Sequence, residues 1–349
     1  MSNVFTQVLL AGQDGRIIAE VSPRIGPVSW RLNNVGKTTL TFSKRDPKLT
    51  AANLQLANRV LIQFDNGLPA WGGIIDLPSA WARDDYTATV YSGEQLLALR
   101  QTAKSRVFTD ATVGTIFENL VAESSDITQS GVDVGSVWIG EELFTRDYHY
   151  ANVLAVIQNE LIGGLSTADF YIEPSEVGGF IKFTANLYER RGSLKTGLML
   201  IEGHNVSELR RTEQGPVVNS WDFAGADISG DSSSGWGDGR LTSNAIDLTS
   251  ALAYGLRQGS SVQSSIKDQT SLNNVAATEL SRTKEAWNGI EMKGVDRAPA
   301  LFAGYDVGDR IPLEAYSYGF NGFEATVRVE GREFFPDTGQ LGLLVSEDL

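Results

Sequence analysis

Residues 28–78, VSWRLNNVGKTTLTFSKRDPKLTAANLQLANRVLIQFDNGLPAWGGIIDLP, alternate apolar and polar side chains through several short runs. Trp30 and Leu32, then Leu40 and Phe42, then Val60, Ile62 and Phe64 recur at period two and point to one face of a pleated sheet. Arg31, Thr39, Thr41, Ser43, Gln63 and Asp65 point to the other. One face is therefore expected to be dry and the other wet. Asn66-Gly67 marks a reversal, because both residues accept the positive φ of a tight hairpin, and Gly72-Gly73 gives the next strand room to bend. A small antiparallel barrel is predicted.

Gly36-Lys37-Thr38-Thr39 in this stretch has the look of a phosphate-binding loop. That loop needs a glycine five places before the Gly-Lys pair and a helix after it. Position 31 is Arg, and Thr39 to Ser43 alternate as a strand, so no row of helix N-terminal amides would face a phosphate. Nucleotide binding is not expected here.

The 349 residues suggest two or three domains. Cysteine is absent, which removes disulfides, thiolate nucleophiles and thiolate metal sites together. The 43 acidic residues against 29 basic ones argue against a surface that wraps nucleic acid tightly, since such affinity comes mainly from cations that displace counterions at phosphates. The opening MSNVFTQVLLAGQDGR has no basic region ahead of its apolar run, and no apolar run is long enough to cross a bilayer. Neither export nor a membrane-spanning segment is expected.

Working outward, residues 4–27 predict a hairpin around Gly12 to Gly15, and YTATVY at 86–91 is expected to close the first barrel, giving a first domain of residues 1–100. The period then changes. Asp110 is a candidate N-cap for a helix striped by Val113, Ile116, Phe117, Leu120 and Val121, and Leu154, Ile157 and Leu161 mark a second helix ended by Gly163-Gly164. With the strands ADFYIEP and GGFIKFTANLY these define an α/β domain over 101–194. Residues 195–349 return to strands: VVNSWDFAG, GIEMKGVD, GDRIPLEA, FEATVRVEGREFF and QLGLLVSED. This second barrel carries an inserted helical segment at about 247–287, with a helix over 270–287 capped by Thr270 or Ser271. The Gly, Ser and Asp content of GADISGDSSSGWGDGR predicts a mobile surface loop. The fold class is thus β-rich α+β, two tube-like antiparallel β-barrel domains with an α/β middle block.

No catalytic, cofactor-binding or metal site is expected, and no cofactor. His149 and His204, the two histidines, stand outside any spaced metal motif. Glu141-Glu142 would diverge on any regular element. Asp227, Asp231 and Asp238 do not match the spacing of a calcium loop. Asn205-Val206-Ser207 is a sequon only for a secreted chain. Tyr316, Tyr318, Phe320 and Phe323 serve a partner surface or a core equally well. Trp71, Trp81, Trp138, Trp221, Trp236 and Trp287 are scattered rather than clustered as a carbohydrate-binding module requires.

Several segments, in order, resemble the central baseplate or tail-tip hub family of long-tailed bacteriophages and related contractile injection machines. TLTFSKRDPKLTAANL followed by NRVLIQFDNGLPAWGGIID resembles that family's opening barrel. EGHNVSELRRTEQGPVVNSWDFAG resembles its transition into the second half, ALAYGLRQGSSVQSSIKDQTSLNNVAATELSR its tyrosine-glycine and helix segment, and GYDVGDRIPLEA its late Gly-Asp strand. The resemblance implies a structural, non-enzymatic virion protein: a homotrimer whose two barrels per chain form a ring of pseudo-sixfold symmetry, joining a hexameric tail tube to a threefold tip and letting DNA pass. It further implies assembly in the host cytoplasm, location at the tail tip or baseplate, and contacts with a distal tail or tail tube protein, the tape-measure protein, and tip, spike or receptor-binding proteins. The competing class is a cell-wall-degrading tail-associated hydrolase, which needs two carboxyl groups facing each other across a cleft.

Overall fold

The computed structural model describes residues 6–48, 50, 53–77, 85–126, 131–214, 217–227, 239–284, 287–316 and 322–347. The chain opens with β1 (Thr6–Ala11), β2 (Ile17–Val21), β3 (Arg24–Ile25), β4 (Val28–Arg31), β5 (Lys37–Ser43), β6 (Arg59–Phe64), β7 (Trp71–Leu77) and β8 (Asp85–Ser92). All but β4 form one seven-stranded sheet in the order β2-β1-β6-β7-β8-β5-β3. A flat sheet of that width would hold its edge strands about 29 Å apart. Val21 and Arg24, on opposite edges, are three residues apart in sequence and so at most roughly 11 Å apart. The sheet must therefore curl.

Next come α1 (Gln95–Ala98), β9 (Arg106–Ala111), α2 (Val113–Asp126), β10 (Val132–Val137), β11 (Phe144–Tyr148), α3 (Val153–Val156), a π-helical stretch Ile157–Leu165, β12 (Asp169–Val177) and β13 (Phe180–Tyr188). These make a three-stranded sheet, β10-β13-β12, and a two-stranded one, β11-β9. The α2 stripe is as expected, with Val113, Ile116, Phe117, Leu120 and Val121 all buried. Its start differs: Asp110 lies in β9 at φ 49°, and the Thr112 hydroxyl accepts from the Thr115 amide. Gly163-Gly164 do not end the second helix, which widens into the π form and stops at Ser166. The polar segment between the helices forms β10 and β11, burying Phe144 and Tyr148.

The remainder comprises β14 (Leu200–Ile201), β15 (Val206–Gln214), β16 (Ser220–Asp227), β17 (Arg240–Ile246), α4 (Leu248–Tyr254), β18 (Gln258–Val262), α5 (Gln269–Thr283), β19 (Trp287–Gly294), β20 (Arg310–Ala315), β21 (Phe323–Phe335) and β22 (Gln340–Glu347). A second curled sheet runs β14-β20-β21-β22-β19-β15, with β4 added beside β21. Its edges also meet, through a Glu202–Val206 bridge. Between β15 and β19 lies an insert whose three-stranded sheet, β17-β16-β18, accompanies α4 and α5. The cap of α5 is Asp268, whose carboxylate accepts from the Ser271 amide at 2.7 Å, not Thr270 or Ser271. Most of the Gly/Ser-rich loop, residues 228–238, lies outside the described residues, as do Trp81 and Trp236.

The two curled sheets share one topology. With β1 set aside, the first reads first-fourth-fifth-sixth-third-second in chain order, and so does the second. Strand directions agree too: β2 and β6 run parallel across β1, as β14 and β20 do directly, and the other neighbours are antiparallel. One apolar core joins the sheets, containing Trp30, Leu40, Phe42, Val60 and Ile62 from the first and Ile290, Val327, Phe334 and Val345 from the second. The expectation of one dry face fails at β6. Leu61, between Val60 and Ile62, is fully buried in a second core with Leu9, Ile74, Phe117 and Phe170, because the α/β block covers the outside of the first sheet.

Candidate functional site

The place where the first sheet, the middle block and the second sheet meet is polar and buried. Trp30 of β4 stands opposite Arg332 of β21. The Arg332 guanidinium is fully buried beneath it, donating to the Tyr305 carbonyl at 2.7 Å and the Phe302 carbonyl at 2.8 Å, with Asp306 at 3.3 Å and the Tyr305 ring 4.9 Å away. Asp169, at the start of β12, is 1% exposed. Its carboxylate accepts from Asn33 Nδ2 at 3.1 Å, from the Arg191 amide at 2.7 Å, and from the Arg328 guanidinium. Arg191 in turn pairs with Asp306 at 3.1 Å and stacks over Tyr171 at 4.2 Å. Three parts of the chain are thus tied together by charge-assisted bonds.

Sequence reasoning missed this joint. In an alternating strand Arg328 and Arg332 would share one face, and both read as solvated. A bulge between Val329 and Gly331 shifts the register, so Arg332 enters the core while Arg328 reaches Asp169 from its edge.

Glu94 lies beside the joint, 3% exposed, with its carboxyl accepting from the Ile172 amide at 3.1 Å. Burial pushes its pKa up to about 7. Below the ordinary Glu value of about 4.3 the group is protonated whether folded or not; between there and about 7 only the folded state holds the proton. Stability is therefore lost as pH rises across that window. Glu94→Gln is expected to raise stability by about 3 kcal/mol at pH 8 and to leave it nearly unchanged at pH 4. Thermal melts of both chains across that range check this, and a gain that does not grow with pH would refute it.

The outward face of the second sheet is open. A groove of about 810 Å³ runs across β4, β21, β22, β19 and β15, lined by Arg31, Arg210 and Lys293 against Glu208, Glu291 and Glu333. Arg210 stands opposite Glu291, and Lys293 bonds Glu208 at 2.8 Å. Arg31 lies over Gly331, where a Cβ would come within 2.5 Å of its guanidinium, so any larger residue would displace the end of that side chain. The face is charge-balanced and suits contact with a polar surface.

The residues singled out from sequence do not converge. Gly36 stands just before β5, its amide donating to Ser92 Oγ at 2.7 Å while the Lys37 amide donates to Ser29 Oγ at 2.8 Å, so these amides serve the fold. His149 is held by the Lys104 carbonyl at 2.8 Å and Asp147 at 3.2 Å, and His204 by the Ala298 carbonyl at 2.9 Å. Glu141 and Glu142 are exposed, Glu142 accepting from Asn274 at 2.7 Å. Asn205 is 1% exposed and ties the turn from Met199 to Ile201, which leaves no accessible sequon. Tyr316 is exposed, whereas Tyr318, Phe320, Asp231 and Asp238 lie outside the described residues. Among the described residues no group of three or more His, Asp or Glu is placed to hold a metal ion, and no helix is long and apolar enough to cross a membrane.

No protein-family model matches the sequence, and no curated protein matches it. Solved structures do match across nearly the whole chain. A 43 kDa tail protein of prophage MuSo2 from Shewanella oneidensis aligns at 15% identity and TM-score 0.59, over 97% of this chain and 98% of its own. A tail protein from Neisseria meningitidis MC58 aligns at 13% identity and TM-score 0.61, over 98% and 97%. An Escherichia coli component of the type VI secretion system, described as structurally similar to the T4 bacteriophage tail proteins gp27 and gp5, aligns at 12% identity and TM-score 0.52, over 99% and 75%. The chain has the fold of these proteins.

Proposed function

We propose that the chain is a structural component of a phage tail tip or baseplate, the central hub, and that three copies close into a ring. The observation that carries this reading is the repeated topology: one chain holds two curled sheets of the same strand order and direction. Three such chains present six similar units, and rotational closure satisfies every equivalent interface. A ring of that kind matches a hexameric tube on one side and a threefold tip on the other. The tail fold supports the same assignment. The role is non-enzymatic, and the partners are a tail tube or distal tail protein, the end of a tape-measure protein, and tip, spike or receptor-binding proteins, all within the virion.

DNA passes through the opening without being held. Cations on the wall would exchange counterions with phosphates and grip the strand, whereas an acidic or neutral wall repels it within about 8 Å at physiological salt. The surplus of 43 acidic over 29 basic residues is compatible with such a wall. The isolated protein is expected to show no appreciable affinity for duplex DNA at physiological salt, measured by fluorescence anisotropy; a salt-sensitive complex would contradict a passive conduit. Solution mass tests the assembly itself, with three times the 37.8 kDa chain mass expected and a stable dimer beside the tail partner as the contrary result.

A further inference from the structure

In both curled sheets the chain makes an excursion between the second and third strands. In the first sheet that excursion is β4, which leaves its own sheet and pairs with β21, the fifth strand of the second. It carries the strand pairing between the first unit and the second. In the second sheet the excursion at the same place is the insert, residues 217–284. In a ring of alternating units each second unit abuts the first unit of the next copy, as the first abuts the second within one chain. The equivalent excursion then faces that next copy.

The insert presents side chains suited to such a contact. Asp247 caps α4 by accepting from the Ser250 amide at 2.9 Å, and Gly255 ends it at φ 76°. A short surface helix ordinarily turns its leucines inward. Here only Ser250 is buried, while Leu248 is 68% exposed, Leu252 89% and Leu256 59%. Leu248 and Leu252 are four residues apart, so they stack on one side of the helix. A grouped apolar patch of this kind marks an interaction surface. The ends of the insert are tied to each other, Val218 exchanging bonds with Thr283, and α5 anchors it to the middle block, so α4 is carried on a fixed platform.

We infer that Leu248, Leu252 and Leu256 dock on the first unit, residues 6–92, of a second copy of this chain; the inference rests on the ring reading above. Because the chain has no cysteine, Leu252→Cys gives one attachment point for a benzophenone label. In a mixture of isotopically light and heavy copies, illumination is expected to give crosslinks between copies that map within residues 6–92. A Leu252→Asp, Leu256→Asp double variant is expected to keep the parent's circular dichroism and melting temperature and to dissociate at a concentration at least 100-fold higher. Crosslinks confined to the same copy or to the second sheet, or a double variant that stays trimeric down to the parent's dissociation concentration, would overturn the inference. A parent chain that never forms a trimer would instead remove the ring reading beneath it, and that result precedes any variant.

Discussion

Asp169→Ala is expected to destabilise the folded chain by about 3–5 kcal/mol. The carboxylate is 1% exposed and answers three donors, from Asn33, Arg191 and Arg328. Removing it leaves the Arg328 guanidinium, itself only 14% exposed, facing the Arg191 carbonyl at 3.4 Å and Glu330 at 3.9 Å. The loss is therefore mainly the cost of a charge held away from water with only these longer contacts left to answer it, which exceeds the net worth of the pair. An exposed pair provides the contrast: Lys293 and Glu208 are 43% and 65% exposed, and Glu208→Gln is expected to cost less than about 1 kcal/mol. Urea unfolding at unchanged m-value measures both. A loss below about 1 kcal/mol for Asp169→Ala would show that the joint does not hold the units together.

Trp30→Ala is expected to cost a similar about 3–5 kcal/mol by a different route. Trp30 is 2% exposed, its ring lies 5.6 Å from Phe64 of the first sheet, and Arg332 of the second lies 5.9 Å from it. Truncation opens a cavity at the one place where β4 of the first half enters the second sheet. Since one apolar core spans both sheets, the parent is expected to unfold in a single transition, and the variant to lower its midpoint without change of the far-UV spectrum at low denaturant. Trp30→Phe should lose less, because the smaller ring still fills part of the space. A cost within about 1 kcal/mol for Trp30→Ala would mean that the sheets are stabilised independently.

The strands were legible because period two survives in them: Leu40 and Phe42 of β5 are buried between exposed Lys37, Thr39 and Ser43, as alternation alone predicts. The α2 stripe was legible for the corresponding reason at period 3.6. Caps were less so, since Thr112 and Asp268 compete with neighbours of the same chemistry, Asp110, Thr270 and Ser271, and the backbone decides among them. Two things could not be read. A strand such as β4 pairs with a partner some 300 residues on, which no local pattern encodes, and the bulge before Gly331 reverses which side of β21 faces the core. The joint of Asp169, Arg191, Asp306, Arg328 and Arg332 depends on both, so its members read as ordinary surface charges.

The repeated strand order makes the assembly the central claim, and imaging the purified particle end-on tests it most directly. Averaged electron-microscopy views, taken alone and beside the tail partner, are expected to show a closed ring of six similar lobes with threefold symmetry and a central opening. Monomers or closed dimers in both preparations would contradict it.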